Sequence, residues 1–269
     1  MVRPRRMLTI LLSVFAVIYV ALCIAAFAFQ RSLLFPAPKA STALPAALGF
    51  RRLPLSGEAY VDLLQLPGPE GAPTVVHFHG NGEQLLDQLD LGLFLQSNGL
   101  GFLAVEYPGY GASPGAPSEQ GIYAAAEAAL ATLRTQGVPP ERTVLSGRSL
   151  GTGVAVEMAR RGHGARIMLV APYTSIPDMA ATMLPFLPTS LLARDRFDTL
   201  SKARDIDLPV LIIHGEQDTL IPVEMGRQLG TRFPHATVVT VPDAGHNDVL
   251  ERSGPDRVQR MAAFALGGD

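Results

Sequence analysis

Val144-Leu145-Ser146-Gly147-Arg148-Ser149-Leu150-Gly151-Thr152-Gly153 is the stretch on which the reading of this 269-residue chain turns. A short apolar run, Thr143 to Leu145, leads into Gly147-Arg148-Ser149-Leu150-Gly151, and helix-period residues follow through Met158 and Ala159. That is strand, sharp turn, helix. Ser149 stands at the tip of a bend whose neighbouring backbone comes close only because Gly147 and Gly151 lack side chains. The Leu150 N–H falls at a helix N-terminus, placed to stabilise a developing oxyanion. Taken alone, the motif has a second reading, a Gly/Ser turn that merely joins strand to helix.

Outward from this stretch, strands and helices alternate. Thr74 to His79 is a buried-type strand ending in Gly80-Asn81-Gly82, and Glu83 to Gln96 has helical spacing through Leu85, Leu86, Leu89 and Leu93. Phe102 to Glu106 is the next strand, ending in Tyr107-Pro108-Gly109-Tyr110-Gly111. Ser118 to Thr135 is an alanine-rich helix, closed by Gly137, Pro139 and Pro140. Arg166 to Val170, Val210 to Ile213 and Thr237 to Val241 add strands, with a helix over Val223 to Thr231 and a closing helix from Gly254 to Leu266. Upstream, Phe50 to Leu55 and Tyr60 to Leu66 read as an antiparallel pair joined through Ser56-Gly57-Glu58. This alternation predicts an α/β fold, a mostly parallel sheet covered on both faces.

In such a sheet ligands gather at the carboxyl ends of the strands. Those ends supply His79-Gly80-Asn81, Tyr107-Pro108-Gly109, Ser149, Pro172-Tyr173, the run from His214 to Asp218, and Gly245-His246-Asn247. A serine becomes a nucleophile when a neutral imidazole takes its proton, and the imidazole needs an acid to hold its tautomer. Ser149, Asp218 and His246 occur in the chain order used on this topology. Asp218 also reads as a turn cap at Thr219, and Asp243 and Asp248 are substitute acids for which loop capping is the simpler account. The second oxyanion donor is the Asn81 N–H, beside that of Leu150; the Asn81 side chain either holds the turn or meets substrate.

Arg148 reads as scaffold, paired with Glu106 or Glu157, with contact to a substrate anion as the alternative, while Tyr107 and Tyr110 shape the pocket rim. One of His77 and His79 is a core histidine, His214 supports the sheet end, and His163 and His235 read as exposed loop residues. Tyr173 to Asp207 carries Met179, Met183, Leu184, Phe186, Leu187, Leu191 and Leu192, with breaks at Pro185 and Pro188. It is either two short helices covering the site, suited to acyl chains, or ordinary core on the sheet.

Met7 to Phe29 holds no charge and as a helix spans roughly 35 Å, at ~1.5 Å per residue, which reads as a membrane span. Ala26-Phe27-Ala28 has the form of a signal-peptidase site, but the apolar run exceeds the usual ~7 to 15 residue core of a signal. Arg3, Arg5 and Arg6 before it, against Arg31 and Lys39 after it, favour a cytoplasmic N-terminus and a domain on the periplasmic or extracytoplasmic side. Gln30 to Pro45, with Pro36, Pro38 and Pro45, reads as an extended tether.

Composition narrows the function classes. Net charge is −2, so no basic surface invites nucleic acid. Cys23 is the single cysteine, excluding disulfides and a cysteine-based metal site within one chain; Val20-Ala21-Leu22 before it departs from a lipobox at Leu22. The histidines fall singly, and neither a P-loop nor a dinucleotide fingerprint occurs, so no metal and no cofactor is implied.

On these residues the chain resembles the α/β-hydrolase superfamily from about Arg51 to Leu266, and more narrowly its single-pass, membrane-anchored, serine aminopeptidase-like members. The matching stretches are Phe78-His79-Gly80-Asn81, Glu106 to Gly111, Gly147 to Gly151, Asp218-Thr219-Leu220-Ile221-Pro222 and Gly245-His246-Asn247-Asp248; the anchor followed by Gln30-Arg31-Ser32-Leu33-Leu34-Phe35-Pro36 is similar too. The resemblance implies an α/β-hydrolase fold with a small cap and a serine hydrolase activity, some eukaryotic relatives removing palmitate from proteins. Gly82 departs from the alanine common after His-Gly-Asn, and Tyr107-Pro108 from the common Tyr-Arg; neither removes a catalytic atom.

The expected organisation is a cytoplasmic stub and anchor over 1–30, a tether over 31–49 and a catalytic domain over 50–269. The expected activity is cleavage of a small-molecule or lipid acyl ester or thioester through a Ser149 acyl-enzyme. An amidase or peptidase with the same triad, and a non-catalytic binding module on the same fold, are the alternatives. Oligomeric state has no signal in the sequence.

Overall fold

The computed structural model describes residues 4–39, 44–55, 59–252 and 255–268. Eight strands form one sheet: β1 (Phe50–Pro54), β2 (Tyr60–Leu66), β3 (Thr74–Phe78), β4 (Gly101–Val105), β5 (Thr143–Arg148), β6 (Arg166–Val170), β7 (Pro209–Gly215) and β8 (His235–Val241). Their spatial order is β1-β2-β4-β3-β5-β6-β7-β8. Only the β1–β2 and β2–β4 pairs are antiparallel; the others are parallel. The expected turn Ser56-Gly57-Glu58 lies outside the described residues.

Strand β3 sits between β4 and β5, so the chain leaves its two sides in opposite directions and opens a crevice at its carboxyl end. The loop after β3 carries Asn81 and the turn after β5 carries Ser149. Topology has therefore placed the two turns side by side before any side chain is considered.

The period of two along each strand divides the core between the faces. Leu63, Val76, Leu103 and Leu145 point to one layer with α3 (Glu119–Thr135) and α4 (Leu150–Arg160). Leu64, Val75, Phe102 and Val144 point to the other, where α2 (Leu89–Ser97) and the closing helix Pro255–Ala265 lie. Helix α3 starts where Ser118 Oγ accepts from the Gly121 N–H, and it buries Ile122, Ala126, Ala129 and Leu133 at helical spacing.

The helical stretch expected over 83–96 is divided into a 3₁₀ turn, Leu85–Gln88, and then α2. Glu83 does not join it: its carboxylate reaches back to the Gly80 N–H at 2.7 Å, while Glu106 takes the Leu85 N–H at 3.0 Å. Those bonds turn the chain before a regular helix can begin.

Helix α1 (Pro4–Leu34) runs past Phe29 into the stretch expected to be an extended tether. Within it, Arg6–Leu34 is long and apolar enough to cross a membrane by length and composition, with mean hydropathy 2.8 and its apolar window 0% buried. Its end is fastened to the domain. Phe35 enters the core, its ring edge-on to Phe197 at 6.4 Å, and Arg31 grips the buried Asp195 with Nε at 2.7 Å and Nη2 at 3.1 Å. Lys39 donates to the Gly109 carbonyl, and the Pro38 carbonyl accepts from Gly111 N. Residues 31–39 are thus docked chain, because an aromatic ring and a two-donor cation found matching partners that proline content does not reveal.

Candidate active site

Ser149 occupies the turn between β5 and α4 with φ 49° and ψ −118°, a left-handed conformation that costs about 1–3 kcal/mol for a residue with a side chain. Bonds from Ser149 N to the Val170 carbonyl (2.9 Å) and to the Ser149 carbonyl from Thr152 N (3.0 Å) and Thr152 Oγ1 (2.6 Å) hold it there. The glycines serve by absence of volume: a Cβ at Gly147 would overlap the Gly151 carbonyl, and one at Gly151 the Phe78 carbonyl.

Two loops at the far end of the sheet are stitched together beside this turn. Glu216 N donates to the Val241 carbonyl and Gln217 N to the Ala244 carbonyl, both at 2.9 Å. Asp218 and His246 meet as a result. His246 Nδ1 is 2.7 Å from Asp218 Oδ2, and His246 Nε2 is 3.0 Å from Ser149 Oγ. With a carboxylate at Nδ1, that nitrogen is the donor and Nε2 is left to accept from the serine hydroxyl.

Asp218 is 7% exposed, and its Oδ1 accepts from Leu220 N (2.9 Å) and Ile221 N (2.8 Å). Burial raises its pKa, but hydrogen bonds with His214, His246 and the Ile221 amide outweigh that and hold the carboxyl well below the usual carboxylate range. It caps its turn and faces the imidazole at once, so the two readings of this residue are compatible. Asp248 accepts from Gly245 N at 2.7 Å and from Arg252, which makes it a loop cap.

On the other side of Ser149 stands the turn after β3. Asn81, Ser149 and Leu150 line one cavity of about 610 Å³. Leu150 opens α4, so its N–H has no intrahelical acceptor.

Comparison with known proteins agrees with this architecture. A serine aminopeptidase (S33) family model matches residues 69–196, and an alpha/beta hydrolase fold model matches residues 187–253. An uncharacterized protein of Mycobacterium tuberculosis is 34% identical over 230 residues, covering 81% of each chain. The chain belongs to the α/β-hydrolase superfamily. Alpha/beta hydrolase domain-containing protein 17C of Xenopus tropicalis is 35% identical over 192 residues, 67% of this chain and 58% of that one. Among solved structures, an esterase of Pyrococcus furiosus superposes with TM-score 0.69 at 18% identity, covering 87% of this chain and 98% of its own. That similarity concerns the fold.

In this α/β-hydrolase several side chains hold positions other than those expected. Tyr107 and Tyr110 are fully buried, not at the rim. Tyr107 donates its hydroxyl to the His79 carbonyl (2.8 Å) and Tyr110 to Asn81 Oδ1 (2.6 Å), bracing the turn from behind. Asn81 Nδ2 donates in turn to the Leu34 carbonyl at the end of α1, a structural role for that side chain. Arg148 pairs with Glu83, not with Glu106 or Glu157, and its Nη2 lies 3.4 Å from the His246 carbonyl. It therefore links the turn after β3 to the loop of His246. Glu106 is spent on His79 Nε2 (2.9 Å), and Glu157 on Arg160, Arg161 and Lys202.

His163 is buried at 6% exposure against Glu127 and Arg134, correcting its reading as an exposed loop residue; His235 is exposed and opens β8. His214 Nε2 donates to the Ile221 carbonyl at 2.9 Å and stands 3.4 Å from Asp218 Oδ2, supporting the turn as expected. His77 Nδ1 meets Ser146 Oγ at 3.0 Å beneath the site.

The cap segment contains both of its alternative readings. Helices α5 (Ile176–Met183) and α6 (Thr189–Leu192) wall the cavity at Ser149, whereas α7 (Thr199–Ala203) packs against α4 as core. A larger hollow of about 760 Å³ lies around Gly68 and Arg142, on residues remote in the fold from Ser149. Among the described residues, no group of three or more His, Cys, Asp or Glu is arranged to hold a metal ion.

Proposed function

We propose that this protein is a membrane-anchored serine hydrolase that cleaves a carboxylic ester or thioester through an acyl-enzyme on Ser149. The observation that carries the reading is the hydrogen-bonded line from Ser149 Oγ through His246 to Asp218, opening on a cavity of apolar walls. The esterase neighbours and the hydrolase family support it.

His246 Nε2 takes the Ser149 proton as Oγ attacks the acyl carbonyl, and Asp218 stabilises the imidazolium that forms. The N–H groups of Leu150 and Asn81 receive the oxyanion, an arrangement in which one donor is worth about 10² to 10³ in turnover. The imidazolium protonates the departing alcohol or thiol. Water, deprotonated by His246, then releases the acid and restores the serine hydroxyl. Helix α1 is the anchor, with the N-terminus cytoplasmic and the domain across the membrane.

The test is fluorophosphonate labelling and hydrolysis of p-nitrophenyl esters by the full chain in detergent, beside Ser149→Ala. Wild type is expected to label and turn over, and the variant to lose both, with turnover down by the order of 10⁶. A folded wild type that neither labels nor turns over any ester overturns the reading in favour of a binding module.

A further inference from the structure

The cavity at Ser149 is not closed by the catalytic domain alone. Ala26, Gln30, Leu33 and Leu34 of α1 form one wall, and α5 and α6 form the other. The cap is also fixed along the helix. Gln30 Nε2 donates to the Leu192 carbonyl (3.0 Å) and Gln30 Oε1 accepts from Arg194 N (2.7 Å). The Arg194 guanidinium lies 4.2 Å over the Phe27 ring, and the Tyr19 hydroxyl donates to the Phe186 carbonyl at 2.9 Å.

Tyr19 stands three turns before Gln30, about 16 Å back along the axis at ~1.5 Å per residue. The cap tip between α5 and α6 therefore lies beside the uncharged part of α1, well short of Arg31. There Met183 is 59% exposed and Phe186 57%, and beside Tyr19 on α1 Phe15 is 69% and Ile18 61% exposed; Leu191, 82% exposed, carries the bare face on toward the level of Gln30. Large apolar side chains left bare in one place mark an interface. Its occupant follows from continuity: the patch extends the bare apolar surface of α1 at the same height, so the medium that receives the one receives the other.

We infer that the α5–α6 tip is inserted in the bilayer beside α1, and that the cavity is loaded from there. A long acyl chain passes between the end of α1 and the cap and brings its carbonyl to Ser149 without crossing water. The substrate class is then a membrane-resident acyl ester or thioester, and α1 is part of the binding site as well as the anchor. This inference rests on the serine hydrolase reading above.

The chain contains no tryptophan, so Phe186→Trp in the full chain, reconstituted in phosphatidylcholine vesicles, places a single tryptophan at the tip. Its emission is expected to be quenched by lipids brominated along the acyl chain and protected from aqueous iodide; the reverse pattern overturns insertion. A second variant tests loading. Phe186 and Leu191 do not line the cavity, so Phe186→Asp with Leu191→Asp should leave p-nitrophenyl acetate hydrolysis within about twofold. Turnover of a palmitoyl ester embedded in the vesicles should fall by roughly tenfold or more, since charge replaces apolar surface at the membrane.

Equal retention on both substrates overturns the loading route while the hydrolase reading stands. Loss on both marks a disturbed fold, and the tryptophan depth then decides. A wild type without acetate turnover or fluorophosphonate label strikes the hydrolase reading, and with it the loading route, whatever depth the tryptophan reports.

Discussion

Beside Ser149, at the ends of β3 and β5, charges are consumed locally: Glu106 holds His79 and the Leu85 amide, Glu83 holds the Gly80 amide and Arg148, and two buried tyrosines brace the turn. The α1–cap side of the same cavity is different. It hangs on a few polar contacts, chiefly from Gln30 and Arg31, and leaves Met183, Phe186 and Leu191 bare. One side is built to hold atoms still, as chemistry with developing charge requires. The other is fastened to the helix at only a few points, which suits a wall whose remaining contacts are made by something outside the chain. On the proposed reading, the contrast assigns the chemistry and the membrane-facing selectivity to separate parts of one cavity.

The hardest blow falls on the rigid side. Asp218→Asn keeps the acceptor for the Leu220 and Ile221 amides but turns its other atom into a donor facing His246, which favours the wrong tautomer. Turnover of p-nitrophenyl butyrate is expected to fall by about 10⁴ with the melting temperature little changed. A loss under about tenfold would remove Asp218 from the proposed triad.

A smaller effect, and of another kind, is expected at the anchor. Among the described residues, Arg31→Ala leaves Asp195, buried at 3% exposure, with the Glu119 amide (2.8 Å) as its remaining hydrogen-bond partner. Because the Arg31 side chain is itself 47% exposed, screening reduces the loss to roughly 1–3 kcal/mol. Palmitoyl turnover should drop more than acetate turnover, and Arg31→Lys should rescue only partly, lacking the two-donor fork. An equal drop on both substrates would mean that the lock serves the fold and not the cap.

An effect that leaves turnover at neutral pH untouched and shows only on acidification lies beneath the site. Burial, with the positive fields of His79 and Arg148, lowers His77 to about 3 from its ordinary 6.5. The unfolded chain therefore binds the proton that the folded chain refuses between those two values. Its stabilising contribution is complete above about pH 6.5 and is lost as pH falls, by ~1.4 kcal/mol per pH unit. In thermal melts between about pH 6.5 and pH 4, His77→Gln should flatten the decline of stability by up to that slope. An unaltered slope would assign the acid sensitivity to other groups.

Much of the fold is legible in the sequence. Strand periodicity and glycine placement are local properties, so the strands, the Ser149 turn and the Ser149, Asp218, His246 order could all be read off the chain. Side-chain partners could not. Arg148 reads from the sequence as a partner of Glu106 or Glu157 and instead takes Glu83, which the bent turn after β3 brings near. His163 sits in a glycine-rich loop and is nonetheless buried against Glu127. Tyr107 and Tyr110 follow a strand end, as rim residues do, yet point inward.

What the sequence by itself determined is therefore the alternation of elements, the serine at the tip of the turn and the chain order of the three residues now aligned, because each depends on periodicity or on a missing side chain. Only the tertiary structure decided that residues 31–39 dock, that α1 walls the cavity, and which cation meets which acid. Those outcomes depend on distances between residues far apart in the chain, as between Arg31 and Asp195, and Coulomb and hydrogen-bond energies act on distance in space.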